Sequence, residues 1–93
     1  MPKYLIERTV PGVGQMNASA LADVAAASNK VLRDLGPDIQ WVHSYVADDT
    51  LTCVYVAADE ELVREHARCG GFPIDAVRKV HGVIDPTTAE VSA

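Results

Sequence analysis

A chain of 93 residues makes one domain with a thin core. Its 48% hydrophobic content excludes a disordered polymer. Eight Lys+Arg against 13 Asp+Glu leave a net charge of −5, which argues against nucleic acid or an anionic membrane as partner and favours cations as ligands.

No apolar run approaches the roughly 18–20 residues of a membrane helix. Glu7 and Arg8 interrupt any signal-peptide core, so a cytoplasmic location is expected. Cys53 and Cys69 are too few for a disulfide scaffold and are expected as thiols.

Lys3–Thr9 mixes β-branched, aromatic and charged residues and reads as a strand. Pro11-Gly12-Val13-Gly14 ends it. This Gly-X-Gly lacks the third glycine of a dinucleotide fingerprint, which favours a plain loop over a phosphate cradle. Asn17 then caps a helix whose Leu21, Val24, Ala25, Ser28, Val31, Leu32 and Leu35 form one stripe. Gly36-Pro37 stops it.

Ile39–Val46 and Leu51–Val56 read as two strands of a hairpin. Simple alternation puts Ile39, Trp41, His43 and Tyr45 on one side, and Val42, Ser44 and Val46 on the other. Both faces are then apolar. Two helices cover one face, so the other is expected to meet a second copy of the chain in a homodimer.

Asp59, Glu60 and Glu61 suit the start of a second helix, with Leu62, Val63, His66 and Ala67 inward. Gly70-Gly71 ends that helix. Ile74–Ala76 is expected to add one helical turn, and Val77–Ile84 to form the last strand. Residues 1–86 thus make one domain, followed by a flexible tail over 87–93. The order β-α-β-β-α-β predicts an α+β, ferredoxin-like fold: a four-stranded antiparallel sheet in the order 4-1-3-2, with both helices on one face.

Three histidines and two cysteines are the available ligands for nickel, copper or zinc. No Cys-X-X-Cys or His-Glu-X-X-His occurs. On the second helix His66 and Cys69, three apart, can share a face, and Glu65 lies four before Cys69. His43 and Cys53 lie directly across the hairpin if its loop has three residues, and on opposite faces if it has two or four. His43, His66 and Cys53 are therefore the metal candidates. Each also has a plainer reading: His43 as an interface residue, His66 as a sideways-packed helix residue, Cys53 as a small core hydrophobe. His81 can simply face solvent, and Cys69 meets the wrong end of a helix dipole for a stabilised thiolate.

The alternative is a dimeric enzyme or ligand-binding protein. Its pocket would lie on the sheet face around Trp41, His43 and Tyr45, with Arg68 and Phe72 contributing and His43 as general acid–base. The Gly70-Gly71-Phe72-Pro73 loop is either a helix stop stapled to the core or the rim of a site reached by His66. No nucleophile or acid–base dyad has catalytic context, so binding without turnover leads.

Four blocks carry a family likeness: Met1-Pro2-Lys3-Tyr4-Leu5-Ile6-Glu7-Arg8, Trp41-Val42-His43-Ser44-Tyr45-Val46, Glu65-His66-Ala67-Arg68 with Gly71-Phe72-Pro73, and Val83-Ile84-Asp85-Pro86. They resemble a family of small bacterial proteins described as a domain of unknown function, whose characterised member is a nickel-binding protein. The resemblance implies a ferredoxin-like homodimer that binds nickel at its surface, for nickel sequestration or detoxification. The matching positions are His43 and His66. Cys69 stands where such sequences commonly carry arginine.

Overall fold

Alternation in β1 (Lys3–Thr9) sends Tyr4, Ile6 and Arg8 to one face, and all three are buried. The computed structural model describes residues 1–90. After β1, a turn of 3-10 helix at Val13–Gln15 leads into α1 (Ala18–Leu35). Asn17 caps it by accepting from the Ala20 N–H at 2.8 Å, and Gly36, with φ 91°, ends it. The hairpin β2 (Ile39–Val46) and β3 (Thr50–Ala57) follows, then α2 (Glu60–Gly70) and β4 (Ala76–Val80).

The four strands pair antiparallel in the order β2-β3-β1-β4, which reads 4-1-3-2 from the other edge, as expected. Both helices cover one face. Tyr4, Ile6, Ile39, Cys53, Tyr55 and Ala57 meet Val63 of α2, with Leu32 and Leu35 of α1 packed beside them. The inward residues of α2 are the expected ones: Val63, His66 and Ala67 are buried and Leu62 packs on the core. Asp59 caps α2 by accepting from the Leu62 N–H.

Three local expectations are corrected. First, β2 carries a bulge at Val42, between the pairs Trp41↔Tyr55 and His43↔Val54. The extra residue shifts the alternation, so Ile39 and Trp41 face the helices while His43 and Tyr45 face away. Second, Ile74–Ala76 is not helical. The Asp75 N–H donates to the Glu7 carbonyl at 2.8 Å, so this stretch already runs along β1. Third, β4 stops at Val80 instead of Ile84. Val80 pairs with Lys3, the first residue of β1, and the neighbouring strand ends there. Val83 and Ile84 are 78% and 86% exposed.

Pro86–Glu90 forms a short 3-10 helix. The rest of the expected tail, 91–93, lies outside the described residues. No helix among the described residues is long and apolar enough to cross a membrane.

The glycine-rich loop after β1 is an anchor for the hairpin tip. Val10 N–H and Gly14 N–H donate to the Asp49 and Asp48 carbonyls, and Gly12 N–H to Asp49 Oδ1. A Cβ on Gly14 would sit 2.6 Å from the Ala47 carbonyl oxygen. These backbone donors are used internally, which supports the plain-loop reading.

Candidate functional site

The hairpin register separates the sequence-predicted ligands. Ala47 N–H donates to the Thr50 carbonyl, closing a tight turn over Asp48-Asp49. Cys53 then pairs with Ser44, and His43 with Val54. Cys53 lies buried on the helix-covered face; His43 lies exposed on the other, its ring 4.9 Å from that of Tyr45 in an edge-to-face contact. Glu65 and Cys69 do meet on α2, where the thiol donates to Glu65 Oε1 at 3.3 Å. That hydrogen bond pushes the Cys69 thiol up from its ordinary pKa. Among the described residues, no three His, Cys, Asp or Glu side chains converge as a metal cage.

His66 is 1% exposed, deep between α2, α1 and the sheet. Its Nε2 lies 3.1 Å from Ser28 Oγ, and its Nδ1 is buried without a partner. The Tyr55 and Phe72 rings flank it at 5.1 and 5.2 Å. Burial, helped by the charge of nearby Arg8, lowers its pKa to about 4, so the imidazole is neutral at pH 7. Burial likewise raises the Tyr55 phenol, against the pull of Ser28 and Arg8.

Arg8 completes this interior polar cluster. It is 4% exposed, donates from Nη1 to the Pro73 carbonyl at 2.7 Å, and stacks 5.7 Å from the Phe72 centroid. Its Nη2 has no partner. Sequence reasoning passed over Arg8, although the period-two alternation from Tyr4 and Ile6 already placed it on the buried face.

A cavity of about 590 Å³ opens beside the cluster, between α1 and the sheet. Trp41, Leu51, Cys53, Leu21, Val24 and Met16 wall it, and Arg8, Ser28 and Phe72 stand at the polar side. It exists because α1 offers small side chains, Ala25, Ala27 and Ser28, over the sheet. The pocket expected from the sequence is thereby relocated. Trp41 and Phe72 line it, but Tyr45 and His43 face the other way. Arg68 is exposed on α2, ion-paired with Glu61 and Glu65. The Gly70–Pro73 loop stops the helix, as one of its two expected readings has it, and also borders the cavity, whose lining residues do not include His66. Gly71, at φ 68°, stops α2, and Phe72 and Pro73 form a wall of the cavity.

A family model described as "Nickel responsive protein SCO4226-like" matches residues 4–80. No match was found among curated proteins. Among solved structures, that of SCO4226 from Streptomyces coelicolor A3(2) superposes with a TM-score of 0.72, covering 88% of this chain and 99% of that chain at 15% identity. At that identity the likeness is one of fold.

Proposed function

The chain belongs to the nickel-responsive, SCO4226-like family, and on that premise we propose that it binds nickel at the surface of a homodimer, in nickel sequestration or detoxification. The observation that carries this reading is the position of His43. It is an exposed imidazole, a donor suited to nickel, on the sheet face that no helix covers. One histidine does not make a site. A second copy against the same face would bring a second His43.

That face is apolar enough to pair. Val54 is buried and Leu5 and Val56 are half-buried without a helix above them, and Tyr45 is 63% exposed. His66 fits a surface site poorly. It is neutral and has a free Nδ1, but it is sealed in the interior with no second ligand beside it.

Calorimetric titration of metal-free protein with nickel tests the proposal. Binding tighter than about 100 μM is expected, lost in His43→Ala and kept in His66→Gln. Weaker binding, or a His43→Ala titration like that of wild type, contradicts it.

A further inference from the structure

We infer that the cavity between α1 and the sheet binds a small apolar carboxylate, seated with its carboxylate on Arg8. A volume of about 590 Å³ is that of a ligand site, and its walls are almost wholly hydrocarbon and aromatic. Arg8 is the one cation among its lining residues. The guanidinium is buried, its Nη2 is unpartnered, and its Nη1 meets only a neutral carbonyl. It has no carboxylate within ion-pair distance among the described residues.

A buried, unneutralised cation is costly unless an anion completes it. Arginine's fork suits a carboxylate, with which it forms paired hydrogen bonds. A single negative charge matches the single guanidinium; a doubly charged phosphate would lack a second cation. Asp23 also lines the space, but it is exposed on α1 beside the exposed Val24, where the cavity meets solvent. The ligand's polar end therefore lies inward at Arg8, Ser28 and Phe72. Its apolar body runs past Trp41, Leu51 and Cys53. This inference is independent of nickel.

Trp41 is the only tryptophan, so its fluorescence reports occupancy directly. Metal-free protein is titrated with decanoate and with decanol, both below their aggregation limits. Decanoate is expected to shift Trp41 emission saturably, at least about tenfold more tightly than decanol. Arg8→Met removes that preference. Ala25→Phe, which puts a ring into the cavity from α1, abolishes binding of both while circular dichroism stays native. The inference is overturned by an unsaturable decanoate response, by equal wild-type affinities for acid and alcohol, or by native decanoate binding in Ala25→Phe. Should Arg8→Met fail to fold, the wild-type comparison and Ala25→Phe still decide.

Discussion

His66 shows how one residue links burial to solution behaviour. In the fold its pKa is about 4; unfolded, it returns to the ordinary 6.5. As pH falls through 6.5 the unfolded state takes up the proton first. The stability due to neutral His66 is therefore complete above about pH 6.5 and is lost progressively down to about pH 4. Denaturant titrations at pH 7 and pH 5 are expected to differ by about 2 kcal/mol from this residue. In His66→Gln that component vanishes, and the pH dependence flattens. The sequence placed His66 on the inward stripe of its helix but not its depth. Depth came from Tyr55, Ser28 and Phe72, brought by three other segments. Arg8 was legible by alternation, yet a charged residue in a strand is ordinarily assigned to solvent. Its burial depends on the Pro73 carbonyl and the Phe72 ring, 65 and 64 residues away along the chain.

Elements followed their local signals where those signals were strong. Both helices begin and end within a residue of their Asx caps and glycines. The end of α2 is specific in its chemistry. Phe72 N–H donates to the Ala67 carbonyl at 2.9 Å, and its ring folds back over Gly70. A Cβ on Gly70 would lie 2.1 Å from that ring, so Gly70→Ala must displace Phe72 from His66 and Arg8. A loss of about 1–3 kcal/mol is expected in chemical denaturation. Gly71→Ala meets no atom but forces alanine into a left-handed conformation, at about 1 kcal/mol. The bulge at Val42 was not legible. Nothing in Trp41-Val42-His43 marks an extra residue, because a bulge arises from matching two strands whose apolar positions fall out of phase. The turn register holds His43 on the open face, and that one extra residue brings Trp41 back to the cavity side, which separates the two functional readings.

At the scale of the molecule, one sheet face is covered by helices and the other is not. A homodimer joined through the open face is expected to scatter light as twice 10.0 kDa at micromolar concentration. Tyr45→Asp, at an exposed position, is expected to leave circular dichroism unchanged and to yield a 10.0 kDa species. Wild type at 10.0 kDa would contradict the pairing.

Helix caps, apolar alternation and turn chemistry are local, and from them the sequence alone determined the element order and the α+β class, while four blocks such as Trp41–Val46 carried the resemblance to a nickel-linked family. The −5 charge and the two-sided apolar hairpin likewise pointed to cations and to a partner copy. Tertiary structure decided what depends on residues far apart in the chain. It set the hairpin register that parts His43 from Cys53, the sealing of His66, and the end of β4 where β1 begins. It also opened the cavity, because the small residues of α1 leave volume only when the helix is laid over Trp41 and Leu51.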